Sequence, residues 1–209
     1  MARRIAAAGA PHGTLVTADE QTSGRGRQGR TWVTSPGAAL LASLVLRRLD
    51  PLLSLRGGLA VADVAGAGAR VKWPNDVLVD GRKLAGVLVE GRPQEGWAVL
   101  GIGVNLDAGA LAPELGAAAL GRPGEAEPVL AELLAALAAR LAEPAPAALA
   151  ALRARDALRG ATVRWAGGEG TGAGIDDAGR LLVCTPGGVV RALDAGEVHL
   201  VRGGGSTGA

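Results

Sequence analysis

The hydrophobic period of this chain changes near residue 160, and that change constrains the fold more than any other feature of the sequence. Upstream, leucines recur at helical spacing, at positions 130, 133, 134, 137 and 141. Downstream, the period becomes two, and short apolar stretches alternate with glycine-rich turns, at 161–166, 171–175, 180–185, 188–193 and 197–202. Five short strands so close together predict a small SH3-like barrel at the C-terminal end of the chain.

The first part of the chain combines strand patterns with helical ones. The strand patterns lie at 14–18, 38–47 and 97–105, and a helical pattern lies at 52–66. Asp80-Gly81 lies between two apolar stretches and predicts a tight hairpin. We therefore expect an α+β fold. A mixed β-sheet with flanking helices is expected over residues 1–158, a C-terminal SH3-like β-barrel over 159–203 and a flexible tail over 204–209.

Composition and charge exclude several classes of protein. The net charge is only +2 over 209 residues, so no nucleic-acid partner is expected from charge alone. The longest apolar runs are too short to span a bilayer, and residues 1–10 do not have the pattern of a signal peptide. The single cysteine, Cys184, cannot form an internal disulfide. These features predict a cytoplasmic protein with no membrane partner.

A loop that is rich in glycine and arginine carries the first chemical signal. Its sequence GRGRQGR covers residues 24–30, and Trp32 follows almost at once. Guanidinium groups and free backbone N–H groups on flexible backbone suit phosphate and carboxylate, because arginine binds planar anions through two donors. Two interpretations fit this stretch: a disordered basic segment that touches nucleic acid, or a mobile clamp that closes over a small anionic ligand.

Two rare types of polar residue are concentrated in one part of the chain. The only two lysines and the only two asparagines all lie between residues 72 and 105: Lys72, Lys83, Asn75 and Asn105. Asp76 has the chemistry to hold Mg²⁺ and Asn75 to contact a phosphate, although an ordinary Asx turn is the alternative. Lys83 opens an apolar strand, where its ammonium would meet developing negative charge or simply discourage edge pairing.

A third stretch, Gly101-Ile102-Gly103-Val104-Asn105, combines two strand glycines with an amide. Glycines within a strand let a ligand approach the backbone closely. The side-chain amide of Asn105 both donates and accepts, which suits the edge of a purine. This stretch therefore predicts a ligand contact on the strand over 97–105.

Taken in order, these motifs resemble those of the biotin–protein ligases, the biotin–[acetyl-CoA-carboxylase] ligases. The resemblance is carried by GRGRQGRTW (24–32), KWPNDVLVDGRKLAGVLVE (72–90) and GIGVNL (101–106). It implies an enzyme that uses ATP, Mg²⁺ and biotin, forms biotinyl-5′-AMP with loss of pyrophosphate, and transfers biotin to a lysine. The implied partner is the biotin carboxyl carrier domain of a carboxylase, and the implied assembly is a monomer or homodimer.

The resemblance also assigns roles residue by residue. It makes Arg27 and Lys83 catalytic, with Lys83 reaching the carboxylate and the α-phosphate. The residues implied to bind biotin are Gln21, at the ureido ring, Arg25, Gly26, Lys83 and Gly86. The residues implied to bind ATP are Arg27, Arg30, Trp32, Lys72, Asn75 and Asn105, the last at the adenine. The implied metal ligand is Asp76.

The sequence departs from the family pattern at its start. No winged-helix DNA-binding domain precedes the short helix predicted over residues 2–9, and the Ser-Thr-Asn segment that family members usually carry there is missing. The resemblance then implies a ligase that is not a repressor, shortened at the N-terminus and with reduced affinity for biotin. The alternatives are a non-catalytic binder of biotin or nucleotide, a lipoate-type ligase of the same superfamily, and a basic RNA-binding module.

Overall fold

A computed structural model describes residues 1–111, 116–194 and 196–201. The helices of this part of the chain are α1 (Ala2–Ala7), α2 (Leu53–Ala65), α3 (Ala126–Ala142) and α4 (Ala145–Ala154). Its strands are β1 (Leu15–Ala18), β2 (Ala39–Leu46), β3 (Arg70–Lys72), β4 (Asp76–Val79), β5 (Arg82–Arg92), β6 (Trp97–Asn105), β7 (Thr162–Trp165), β8 (Gly168–Ile175), β9 (Leu181–Cys184), β10 (Val190–Leu193) and β11 (His199–Leu200). The predicted tail over 204–209 lies outside the described residues.

Six strands form the main sheet in the order β1-β2-β6-β5-β4-β3. All of the pairings between these strands are antiparallel, so the prediction of a mixed sheet is wrong in this respect. The reason is that β3 to β6 follow one another through short connections, each of which reverses the chain. The predicted hairpin at Asp80-Gly81 is one of them, and both of its residues have positive φ, 51° and 69°.

The two faces of this sheet are covered differently. Alternate residues of β6, including Leu100 and Val104, belong to the main core with α2 and α3. The intervening residues face the other way, where Trp97 and Val99 pack with Ala6 of α1 in a smaller cluster. The rest of that second face, around Gly101 and Gly103, is left open for a cavity.

Helix α2 packs closely against the main-core face because it carries Gly57 and Gly58. A Cβ on Gly57 would lie 3.0 Å from a methyl group of Val87, and one on Gly58 would lie 3.3 Å from a methyl group of Val71. Helix α3 contributes Leu133 and Leu137 to the same core, as its helical leucine spacing predicts. The α+β class is therefore confirmed.

The five predicted C-terminal strands are all present, in a second antiparallel sheet of order β10-β9-β8-β7-β11. The segment that leads from α4 to this sheet is bonded to β3, where the N–H of Val71 donates to the Arg155 carbonyl at 2.8 Å. In addition, the Trp73 indole Nε1 donates to the Gly179 carbonyl at 3.0 Å. The exact domain boundaries at 158 and 203 stay a prediction. Among the helices of the described segments, none is both long and apolar enough to cross a membrane.

Candidate functional site

A cavity of about 410 Å³ opens on the second face of the main sheet. Its floor is formed by three glycines of neighbouring strands, Gly86 on β5 and Gly101 and Gly103 on β6, which we call the glycine floor. Gly86 pairs directly with Gly103 in the sheet. Because these positions lack side chains, a planar group can lie flat against the backbone here. Polar and charged side chains from the glycine–arginine loop and from β5 border this floor.

The glycine–arginine loop over residues 24–32 folds back on itself above the cavity. The N–H of Gly26 donates to the Arg30 carbonyl at 2.7 Å, and the N–H of Trp32 donates to the Gly24 carbonyl at 3.2 Å. A Cβ on Gly24 would overlap the Trp32 carbonyl oxygen, so this close crossing requires glycine. The loop is thus a short hairpin that presents its arginines to the cavity.

Trp32 lies directly on the glycine floor. A Cβ on Gly103 would lie 3.0 Å from the indole, and one on Gly86 would lie 3.2 Å from it. The indole Nε1 is buried and has no hydrogen-bond partner. A buried donor without a partner is costly, so an acceptor on a ligand in this cavity would satisfy it. The Lys83 ammonium lies 5.6 Å from the ring centroid, within cation–π range.

Lys83 reaches the cavity because of an irregularity between β4 and β5. Asp76 pairs with Gly86, but the register shifts after Val77, so that Leu78 pairs with Lys83. Strict alternation would place Lys83 and Gly86 on opposite faces of the sheet, since they are three residues apart. The shift brings both residues to the cavity face. This register shift, a β-bulge, therefore sets the direction of the side chain of Lys83, the predicted catalytic residue.

The ammonium of Lys83 is held by a buried carboxylate. Lys83 Nζ lies 2.7 Å from Asp76 Oδ1, and Lys72 Nζ lies 3.3 Å from Asp76 Oδ2. Asp76 is only 8% exposed. Each oxygen of this carboxylate therefore lies within ion-pair distance of a cation, but only Lys72 donates a hydrogen bond to it, and Oδ1 accepts none.

The connection between β3 and β4 also supports the loop. Arg27 Nη1 donates to Asn75 Oδ1 at 3.4 Å, and Asn75 Nδ2 donates to the Val87 carbonyl at 3.1 Å. Ser54 of α2 donates through its hydroxyl to the Pro74 carbonyl at 3.0 Å. The bond to Val87 holds the Asn75 side chain in place, and Asn75 in turn sets the position of the Arg27 guanidinium.

The structure brings most of the candidate residues together. Those lining the cavity are Gln21, Arg25, Gly26, Arg27, Arg30, Trp32, Asn75, Lys83 and Gly86. Lys72, Asp76 and Asn105 lie outside this lining. Asn105 is buried and donates through Nδ2 to the Ala118 carbonyl at 2.9 Å, so its amide holds the backbone at Ala118, in the connection between β6 and α3. The roles of all these residues stay predictions.

The residues around Asp76 do not fit a metal site. Its two oxygens are paired with ammonium groups, which would have to leave before a cation could bind. Within residues 1–111, 116–194 and 196–201, His, Cys, Asp and Glu form no group of three that could hold a metal ion. Mg²⁺ is usually bound by carboxylates together with substrate phosphates. Asp76 as placed here serves the lysines instead.

Sequence reasoning missed residues that the tertiary structure brings to the cavity. Ser43 on β2 lines it, and Arg3 and Glu90 form an ion pair of 3.0 Å at its border. Ser43 is a polar residue in an otherwise apolar strand pattern, and this signal was available in the sequence. Glu197 contributes an ion pair to Arg30 from the C-terminal sheet, and no local pattern marks it.

This arrangement can bring anionic groups together. Arg25, Arg27 and Lys83 place positive charge around one cavity with a flat backbone floor. Cations so arranged offset the repulsion between two anions, and the effect is stronger where a closed loop excludes water. The cavity therefore suits a small planar molecule that carries a carboxylate, together with a phosphate.

Comparisons with known proteins agree with this geometry. The model of the biotin/lipoate A/B protein ligase family matches residues 2–107, and that of the biotin protein ligase C-terminal domain matches residues 168–201. A biotin–[acetyl-CoA-carboxylase] ligase of Mycobacterium tuberculosis is 37% identical over 213 residues, which is 90% of this chain and 79% of the relative. The chain belongs to the biotin protein ligase family.

Other members of the biotin protein ligase family match over shorter or more divergent stretches. The bifunctional ligase/repressor BirA of Bacillus subtilis is 39% identical over 118 residues, or 51% of this chain, and the match covers 36% of its own length. The biotin protein ligase from Aquifex aeolicus, solved in complex with biotin and ATP, superimposes with a TM-score of 0.80 at 27% identity. That match covers 96% of this chain and 94% of the other.

Proposed function

We propose that this chain is an ATP-dependent biotin ligase that forms biotinyl-5′-AMP and transfers biotin to a lysine of a biotin carboxyl carrier domain. The observation that carries the proposal is the convergence of Arg25, Arg27 and Lys83 on the glycine floor beneath Trp32. The match to an Aquifex aeolicus ligase bound to biotin and ATP supports the same substrates.

In the first step, a carboxylate oxygen of biotin attacks the α-phosphorus of ATP. A bond forms between that oxygen and phosphorus, and the bond from phosphorus to the bridging oxygen breaks, which releases pyrophosphate. Both reactants are anions, so Lys83 and Arg27 stabilise the charge that accumulates at the reacting atoms. Arg25 holds the carboxylate end of biotin and so orients it for the attack.

In the second step, the amine of a carrier lysine attacks the acyl carbon of biotinyl-5′-AMP. An amide bond forms, AMP leaves with the electron pair of the broken acyl–oxygen bond, and the amine loses a proton. Water competes with the amine for this mixed anhydride. The hairpin of the glycine–arginine loop above the cavity excludes water while the intermediate waits for the carrier.

The test is biotinylation of a carrier domain with ATP by the native chain and by Lys83→Met. Removal of one positioned cation should lower kcat by about 10²–10³-fold. Arg82→Met is the matched control, because Arg82 is the exposed neighbour on the same strand and does not line the cavity. Its rate should stay within about twofold of the native rate. Equal losses in both variants would contradict the proposed role of Lys83.

Two alternative functions, a lipoate-type ligase and a non-catalytic binder, are distinguished by the substrate that is offered and the product that is measured. A lipoate-type ligase would modify its carrier with lipoate in preference to biotin, which mass spectrometry of the carrier detects. A non-catalytic binder would bind biotin without biotin-dependent exchange between ATP and pyrophosphate. The proposed function requires both the preference for biotin and the exchange.

A further inference from the structure

The only two lysines of the chain share one carboxylate. Lys83 Nζ lies 2.7 Å from Asp76 Oδ1 and Lys72 Nζ lies 3.3 Å from Asp76 Oδ2. Lys72 and Asp76 are paired in register across β3 and β4, so this arrangement is built into the sheet. Within the described part of the chain, Asp76 is the one carboxylate within ion-pair distance of either ammonium.

The two lysines differ in what else they can reach. The Lys83 side chain is 38% exposed and lines the cavity. The Lys72 side chain is 16% exposed and lies outside the cavity lining. Lys83 can therefore turn toward a ligand, while Lys72 stays with Asp76.

This difference matters because Asp76 is buried. A buried carboxylate that loses its cation is strongly destabilising, since neither water nor another charge compensates it. If Lys83 were its sole partner, an anionic ligand would have to compete with Asp76 for the same ammonium. The second ammonium, on Lys72, removes that competition, because Asp76 stays paired after Lys83 has moved.

We propose that Lys72 is a positioning residue that compensates Asp76 and thereby frees Lys83 to pair with the reacting anions. Lys72 then acts through Asp76 rather than by contact with ATP. This proposal rests on the proposed function, because it is the reaction of biotin with ATP that needs Lys83. It extends the proposed function by assigning to Lys72 the role of keeping Asp76 paired with a cation while Lys83 contacts the reactants.

Biotin-dependent ATP–pyrophosphate exchange, measured in variants of Lys72 and Asp76, tests the proposal. Lys72→Met should lower kcat/KM by about tenfold or more, because Asp76 then holds Lys83 alone. Lys72→Arg keeps the charge and should stay within about threefold of the native value. In Lys72→Met/Asp76→Asn the competing carboxylate is gone, so kcat/KM should rise above that of Lys72→Met.

Two results would overturn the proposal: native-like exchange in Lys72→Met, or a double variant no faster than Lys72→Met. A purely structural role would also let the double variant recover, because no unpaired buried charge then remains. In that case the losses in exchange would follow losses in the free energy of unfolding, so urea unfolding of the same variants separates the two roles. If the native chain itself shows no biotin-dependent exchange, it is the proposed function that fails, and the role of Lys72 is then tested by nuclear magnetic resonance of the native chain.

Nuclear magnetic resonance of ¹⁵N-lysine-labelled native protein gives a second test. It is made on the native chain and therefore holds even if Lys72→Met does not fold. Two lysines give two side-chain signals, which Lys72→Arg and Lys83→Arg assign. On addition of biotin with α,β-methylene-ATP, the Lys83 signal should shift more than the Lys72 signal, because Lys83 changes partners and Lys72 stays with Asp76. A larger shift of Lys72 would show direct contact with the nucleotide and overturn the proposal.

Discussion

Arg30 of the glycine–arginine loop forms an ion pair with Glu197 of the C-terminal domain. Arg30 is on the returning half of the loop hairpin, and its carbonyl also accepts from the N–H of Gly26. Glu197 lies just before β11, which is held in its sheet by pairing with β7. The pair therefore anchors the element that covers the cavity to the second domain of the chain.

The first prediction is that loss of this ion pair loosens the loop. The Arg30 side chain is 54% exposed, and exposed ion pairs contribute about 0.2–1 kcal/mol. Glu197→Gln should therefore raise the rate of tryptic cleavage after the loop arginines by about two- to fivefold. Limited proteolysis of the ligand-free chain, with fragments identified by mass spectrometry, measures this rate.

Glu169→Gln is the matched control for the loop. Glu169 forms an ion pair of 2.9 Å with Arg164 in the same domain, away from the loop. The loop of this variant should be cleaved at the native rate. Cleavage that is equally fast in native chain and in Glu197→Gln would show that the ion pair does not hold the loop.

The second prediction concerns the contact between Trp32 and the glycine floor. In Gly103→Ala the new Cβ would lie 3.0 Å from two carbons of the indole, so the ring must move. We expect a changed near-ultraviolet circular dichroism spectrum and a loss of about 1–3 kcal/mol in the free energy of unfolding. In Gly101→Ala the nearest atom is 3.5 Å away, an ordinary contact, and the spectrum should stay native. Identical spectra for the two variants would mean that Trp32 does not rest on Gly103.

The third prediction concerns an ion cluster that joins α2 to α3 and α4. Arg140 donates to Asp63 Oδ2 at 2.7 Å and to Asp63 Oδ1 at 2.9 Å, and Arg155 donates to Oδ1 at 2.8 Å. Burial alone would raise the pKa of Asp63, but the two guanidinium groups outweigh it and hold that pKa below its usual range. The pairing therefore stabilises the fold above pH of about 4, and the stabilisation is lost as the pH falls through the lowered pKa.

Asp63→Asn should lower the free energy of unfolding at pH 7 by about 1–2 kcal/mol, because two guanidinium groups lose a charged partner. The difference from the native chain should shrink at pH 3, because the unfolded chain then binds a proton at Asp63 that the native pairing opposes. Urea unfolding of the native chain and of Asp63→Asn at the two pH values measures this difference in the free energy of unfolding. Glu125→Gln, which removes the charge of a more exposed partner of Arg122, should leave the free energy of unfolding close to the native value at both. A pH-independent loss in Asp63→Asn would contradict the electrostatic origin.

The candidate site shows which of its features local sequence patterns can predict and which they cannot. Residues 24–32 could be identified as an anion-binding loop because glycine and arginine have those properties in any fold. The glycines of β6 could be identified as a place of close approach for the same reason. The pairing of Arg30 with Glu197 could not be identified from the sequence, because the partners are far apart in the chain and meet only when the two domains pack together.

Asn105 and Asp76 show why some sequence expectations needed the structure. An amide that can read a purine can equally well bind backbone carbonyls, and in the fold Asn105 faces Ala118. A carboxylate that can hold a metal can equally well hold ammonium groups, and Asp76 lies between two of them. Residue type limits what a group can bind, but the neighbours decide which of those options it takes.

The sequence by itself determined the strands, the leucine-lined helix, the hairpin at Asp80-Gly81 and the C-terminal sheet, since all of these depend on local period and turn chemistry. Only the tertiary structure decided where Lys83 points. The shift in register between β4 and β5 turns it to the face of Gly86, and strict alternation along the strand would have placed it on the opposite face. Strand pairing across the sheet, which no single stretch of sequence specifies, thus fixed the position of the cation on which the proposed chemistry depends.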